Sequence, residues 1–307
     1  MKTLRSLIVC LCLAAVPARA APPPKIVNAA DGIFAAFQNH PLVGLGEWHG
    51  LAQELDFYAV LIRDPRFAKD VGNVVLETGD AAQQAVVDRY VNGENVPYSE
   101  LRKVWADTVG WFPTVQFLGS INFYAAIRAV NLSLPPQSRI KVWLGEPPID
   151  WPQVKTKADW LPLEDQRDNY PAALIEREIL SKGKKALVIY GADHFGVYPG
   201  GVVPYGPPDL LAHRPPNMRA QIDARHPGAL YVIFPYVSYT TKDCADRVEK
   251  HIKGISAPSL IAPIHGSSME QDLLLPGCTP MTKAPEWTQE QFELVMPNYA
   301  GLHSDAF

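Results

Sequence analysis

Glu47 and His49 stand two residues apart in Gly44-Leu45-Gly46-Glu47-Trp48-His49-Gly50, a carboxylate and an imidazole set among glycines. Such a pair can run acid–base chemistry, the carboxylate orienting the ring and raising its basicity. Burying two ionisable groups this close together is costly unless they are paired or used. The same carboxylate could instead cap the helix that follows, a common place for acids. Three further acids and a second histidine share the setting. Glu77 closes Asn73-Val74-Val75-Leu76-Glu77, Glu146 follows Leu144-Gly145, and Asp193-His194 follow Val188-Ile189-Tyr190-Gly191-Ala192.

Apolar runs ahead of each group read as buried strands. They span Pro41 to Gly46, Asn73 to Glu77, Arg139 to Leu144, Lys185 to Tyr190 and Leu230 to Phe234, with a possible sixth at Ser259 to Ile264. Helical periodicity fills the intervals: Ile26 to Gln38, Leu51 to Ile62, Asp80 to Val91 with Asp80 as N-cap, Tyr98 to Thr108, Thr114 to Asn131 and Asp165 to Ser181. A proline-broken loop carries Asp150, Trp151 and Trp160. Strands alternating with helices predict an α/β fold, a mostly parallel central sheet with helices on both faces. In such a sheet ligands bind outside the carboxyl ends of the strands, where these acids and histidines fall.

Residues 1–20 have the layout of a secretory signal peptide. Lys2 and Arg5 open it, Leu7 to Val16 is a short apolar core, and Ala18-Arg19-Ala20 is a small-x-small cleavage site. Cleavage near Ala20 predicts an exported chain, periplasmic or secreted, with residues 21–307 as one α/β domain and a loop-rich C-terminal part. No lipobox precedes Cys10 or Cys12, and no later run is long enough for a transmembrane helix, so no membrane anchor is expected. Losing Lys2, Arg5 and Arg19 moves the formal charge from −4 to −7, and no basic stripe argues for nucleic acid. Cys244 and Cys278 remain. In an oxidising compartment they read most simply as a disulfide, contributing about 3 kcal/mol by loop closure; two buried thiols are the alternative.

Gly46-Glu47-x-His49, the acid of Val75-Leu76-Glu77 and the histidine ending Gly191-Ala192-Asp193-His194 resemble the erythromycin esterase and ChaN-like superfamily, itself similar to the TraB/Tiki proteins, in a secreted uncharacterised branch. The one-residue gap between Glu47 and His49 is closer to ChaN-type haem-uptake proteins. Arg167-Asp168 looks like an Arg-Asp element that precedes a helix in these families, and Asn122 to Asn131, containing Arg128, resembles an element of secreted relatives. The likeness covers about Pro41 to Gly196. It implies an EreA/ChaN-like α/β fold.

Two readings follow. In the first, the chain is an esterase-like hydrolase acting on a small-molecule substrate. His49 is general base on a water, Glu47 or Glu77 orients it, and His194 is a second acid/base or oxyanion donor. Arg128, Asp193, Glu146, Arg167 and Asp168 support or bind substrate; for Arg128 a structural ion pair on its helix is the alternative. Glu54 is a weaker candidate, with a solvent-facing place on its helix as the alternative. This reading requires no cofactor, although two histidines and two carboxylates could also hold zinc or manganese. No His-Glu-x-x-His helix, Gly-x-Ser-x-Gly elbow or phosphate loop appears. In the second reading the chain binds haem. His49, His194 or His265 would be axial ligand, and Trp48, Trp105, Trp111, Phe112 and Tyr124 an apolar wall.

Overall fold

The computed structural model describes residues 21–110, 117–204, 206, 208–236, 242–275 and 304–306. Seven strands form among these: β1 (Lys25–Asn28), β2 (Leu42–Glu47), β3 (Asn73–Asp80), β4 (Lys141–Glu146), β5 (Ala186–Gly191), β6 (Leu230–Ile233) and β7 (Ser259–Ala262). Five of them make one all-parallel sheet in the order β4-β3-β5-β2-β6, with helices on both faces. The protein is α/β, as the alternation of strands and helices predicts.

The apolar runs are continuous because both faces of a parallel sheet are covered. Val43, Leu45, Val74, Leu76, Leu187 and Ile189 point to one core, shared with the helices Ala52–Arg63 and Phe117–Leu132. The alternate residues Leu42, Val75, Val188 and Tyr190 point to the other, under the helices Gln166–Glu178 and Met218–Arg225. The period of two along each strand assigns these faces.

Two features of the sheet place the candidate residues. Glu47, last in β2, lies in register with Gly191, last in β5. Between Leu76 and Asp80 the register of β3 against β4 shifts, so that Leu76 faces Leu144 but Asp80 faces Glu146. Such a bulge bends a strand and redirects its side chains, and Glu77 is its first residue. Asp80 then caps the next turn, accepting from the Ala82 amide at 2.9 Å.

Three local expectations are corrected. Ile26 opens no helix: Lys25–Asn28 pairs antiparallel with Ser259–Ala262, and the helix begins at Ala29 with Asn28 as its cap. The β-branched Ile26 and Val27 favour the extended pairing once a partner strand is present. The possible sixth strand exists, but in this separate two-stranded sheet. Within the proline-broken stretch, Lys157–Glu164 is a helix started by a capping box of Thr156 and Asp159, with Trp160 inside it. No helix among the described residues is long and apolar enough to cross a membrane. Residues 1–20 and Cys278 lie outside the described residues; Cys244 is fully buried in the second core.

Candidate active site

Glu47 and Glu77 belong to strands separated only by β5, and the alternation of the sheet sends them to opposite faces. Glu47 falls on the side of Leu45 and the first core, Glu77 on the side of Val75 and the second. His49, just past the end of β2, bridges the rim between them. Its Nδ1 is 3.6 Å from Glu47 Oε1 and its Nε2 is 3.9 Å from Glu77 Oε2. The imidazole is 33% exposed, whereas the Glu47 and Glu77 side chains are 4% and 1% exposed.

Behind His49 lies a buried ionic network. Glu77 Oε1 accepts from Arg167 Nη2 at 2.7 Å and lies 3.3 Å from His194 Nε2; Glu77 Oε2 accepts from the Gly191 amide at 2.5 Å. Arg167 Nε donates to Glu146 Oε1 at 2.7 Å, and its Nη1 reaches Glu164 at 3.4 Å. His194 Nδ1 lies 2.7 Å from Asp168 Oδ1, which also accepts from the Met218 amide at 2.7 Å. Arg167 and Asp168 stand in the first turn of the helix Gln166–Glu178, while His194 comes from the short turn Ala192–Phe195 after β5. One guanidinium therefore joins the carboxylates of two strands as a fork, a geometry that lysine cannot supply.

The charges follow from these neighbours. Burial opposes ionisation of Glu77, yet His194, His49 and Arg167 hold it well below the usual carboxylate range. Burial also opposes the positive charge of His194, but Asp168 and Glu77 outweigh it and raise its pKa well above the ordinary histidine value. His194 is thus a buried imidazolium with both nitrogens facing carboxylates. For His49 burial again lowers the pKa, and the carboxylates of Glu47 and Glu77 on either side of the ring more than compensate, leaving it raised. Glu146 is pushed up by burial, against the pull of Arg167.

The cluster brings together Glu47, His49, Glu77, Glu146, Arg167, Asp168 and His194. Asp193 lies at its edge, accepting from Tyr198 Oη at 3.1 Å and lining a polar cavity of about 120 Å³ with Arg167, Asp168 and His194. Arg128 is not part of it. Its guanidinium donates to the carbonyls of Tyr90, Gly93 and Glu94 and stacks on Tyr90, which closes the C-terminal end of the helix Gln84–Val91. His265 is not part of it either: it pairs with Glu270 at 3.0 Å and lies 3.9 Å from Asp305. Nor does Glu54 face solvent. It is 7% exposed and accepts from the Trp48 amide at 3.1 Å and Tyr58 Oη at 3.0 Å, which fixes the turn carrying His49.

Gly191 is a site residue that reading by residue type misses. A Cβ there would lie 2.7 Å from His49 Nε2 and 3.2 Å from Glu77 Oε2, so the glycine makes the room in which the imidazole sits. Its residue type carries no chemistry, and only the register with Glu47 reveals the approach. Gly191→Ala is expected to expel His49 from between its carboxylates, and any chemistry that depends on this imidazole would slow about 10²-fold. Thermal unfolding should stay near that of the parent, and an alanine variant of full activity would remove His49 from the chemistry.

A divalent ion does not fit this donor set. Both Glu77 oxygens and both His194 nitrogens already face protein partners, and Arg167 supplies the positive charge between the carboxylates. No group of three or more His, Cys, Asp or Glu side chains among the described residues is placed to hold a metal. Two residues of the expected haem wall are used in the core. Trp105 and Tyr124 are buried in the first core and stack on each other at 5.7 Å; Trp111 and Phe112 lie outside the described residues; Trp48 is half-buried beside His49.

No protein-family model and no curated protein matches the chain. Solved structures do. A Bacillus cereus protein aligns with TM-score 0.51 at 12% identity, covering 92% of this chain and 93% of its own. ChaN of Campylobacter jejuni, described with cofacial haem binding, aligns with TM-score 0.40 at 15% identity over 75% of this chain and 96% of its own. The type III effector HopBA1 aligns with TM-score 0.38 at 16% identity over 74% and 90%. At these identities the likeness is one of fold, and the Bacillus protein carries it.

Proposed function

We propose that this chain is an exported protein that binds a small molecule at the carboxyl ends of its parallel strands and hydrolyses an ester or related bond in it. The observation that carries the reading is His49, a partly exposed imidazole between Glu47 and Glu77, backed by a buried network in which every charge has a partner. Neutral His49 would present Nδ1–H to Glu47 and take a proton from water on Nε2. The 3.9 Å between Nε2 and Glu77 Oε2 is too long for a direct hydrogen bond and short enough for one water bonded to both. As the water O–H bond breaks, its oxygen bonds to the acyl carbon; the ester C–O bond then breaks and the proton on His49 passes to the leaving alkoxide. His194, already engaged on both nitrogens, is a positioning residue that holds Glu77 rather than a second base.

The pH dependence has a definite sign. Catalysis needs neutral His49, whose pKa is raised, so the rate is expected to climb with pH through a value above 6.5. Glu47→Gln removes a charge that stabilises the imidazolium, and the rising limb should move to lower pH in kcat/KM profiles. A limb that stays in place would separate Glu47 from His49.

Haem, the ligand named for the Campylobacter jejuni protein, supplies the second reading; His49 as an exposed imidazole beside the half-buried Trp48 is the observation that favours it. The cavity bordering the cluster, about 120 Å³, is below the usual size of small-molecule sites, so a haem would rest on the rim. Two measurements divide the readings. An ester panel should show turnover that His49→Ala abolishes, with or without chelator; no turnover on any ester sinks the hydrolase. Hemin titration should leave the Soret band unshifted; a shift that His49→Ala removes would establish haem binding instead. Membership of the erythromycin esterase and ChaN-like superfamily, export with cleavage near Ala20 and the Cys244–Cys278 disulfide belong to the same proposal. N-terminal sequencing of exported protein and its mass before and after reduction test the last two.

A further inference from the structure

On the far side of the turn that carries His49 lies a second cavity, of about 170 Å³. Its walls are apolar, with Leu45 and Gly46 of β2, Phe57 and Tyr58 of the helix Ala52–Arg63, and Phe234 after β6. Glu54 is the charged residue among those lining it. That carboxyl accepts from the amide of Trp48, so the wall of the cavity and the backbone beside His49 are joined through one side chain. The volume slightly exceeds that of an apolar cavity of about 150 Å³ known to hold benzene. An apolar space of this size accepts a ring or a branched alkyl group.

We propose that this cavity receives a compact, uncharged apolar group of the substrate, a benzene-sized ring or its alkyl equivalent, and that Glu54 bonds the polar atom joining this group to the remainder held at His49. The word substrate rests on the acid–base reading; the binding does not. Glu54 suits such a contact because it changes character near neutrality. Burial pushes its pKa up to about 7, against the pull of the Trp48 and Tyr58 hydrogen bonds, with Glu47 and His49 as the nearest charges. Below that value it is a neutral carboxylic acid, and above it a carboxylate that strengthens a hydrogen bond donated by a ligand hydroxyl.

The experiment uses the full chain with two probes of one size, toluene and benzyl alcohol, followed by ligand-observed NMR. Both should bind, and benzyl alcohol should tighten as pH rises through about 7 while toluene does not. Phe57→Trp, at a half-buried position, fills the cavity and should weaken both probes about tenfold, the loss of roughly a ring's apolar burial. Glu54→Gln keeps the acceptor for Trp48 and should abolish the pH response of benzyl alcohol while toluene binds as before. Absence of binding, or equal binding by Phe57→Trp, overturns the cavity assignment; a pH response that survives Glu54→Gln overturns the role of Glu54. Probe binding without ester turnover would sink the catalytic reading alone.

Discussion

On the proposed hydrolase reading, Glu77→Gln is expected to lower ester turnover about 10³-fold, because it removes the carboxylate that holds the attacking water beside His49. The substitution keeps shape and an acceptor for the Gly191 amide, but removes the charge that faces His49, His194 and Arg167 together. It also changes how stability depends on pH. The folded-state pKa of Glu77 is depressed, so its contribution is fully present above the unfolded carboxylate value and is lost as pH falls through the folded value. That of His194 is raised, so its contribution is fully present below about 6.5 and is lost as pH rises through its higher folded value. The parent should therefore lose stability on both sides of neutrality, and Glu77→Gln should weaken both limbs because each charge supports the other. Urea midpoints measured across pH would show it. Limbs unchanged in the variant, together with retained turnover, would mean that Glu77 is a bystander.

Arg167→Met carries the largest expected effect on stability, a loss of about 3–5 kcal/mol in urea unfolding. The arginine side chain is 14% exposed and bonds two carboxylates that are each 1% exposed. Methionine leaves Glu77 and Glu146 buried side by side with no cation between them, and such groups must protonate, draw in water or unfold the rim. Arg167→Lys should recover only part of the loss, because an ammonium cannot hold both carboxylates as the planar fork does. A methionine variant within about 1 kcal/mol of the parent would show that water already solvates these acids.

Much of this rim was legible in residue types and spacing. Buried apolar runs ending in Glu47, Glu77, Glu146 and His194 point to one edge of a parallel sheet, and the sheet puts them there. Arg167 and Asp168 entered only through resemblance. Their partners lie many residues away in the chain, so no local pattern ties the guanidinium to Glu77 and Glu146 or the carboxylate to His194. Arg128 shows the opposite failure: a basic residue on a long helix looks available for an anion, but three carbonyls at the end of a neighbouring helix use it. Glu54 was misplaced for a similar reason. One polar side chain at the start of an amphipathic helix reads as solvent-facing until the turn before it folds back to supply an amide.

The sequence by itself determined the class of fold, the strands and the edge at which acids and histidines gather, because burial and periodicity are local properties of a chain. Only the tertiary structure decided which of them meet. The register that sets Glu47 against Gly191, and the docking of the helix Gln166–Glu178 that brings Arg167 to Glu77 and Asp168 to His194, depend on pairing between distant segments. The charge states of Glu77 and His194 depend in turn on those meetings, since a buried charge takes its energy from the groups within a few ångströms.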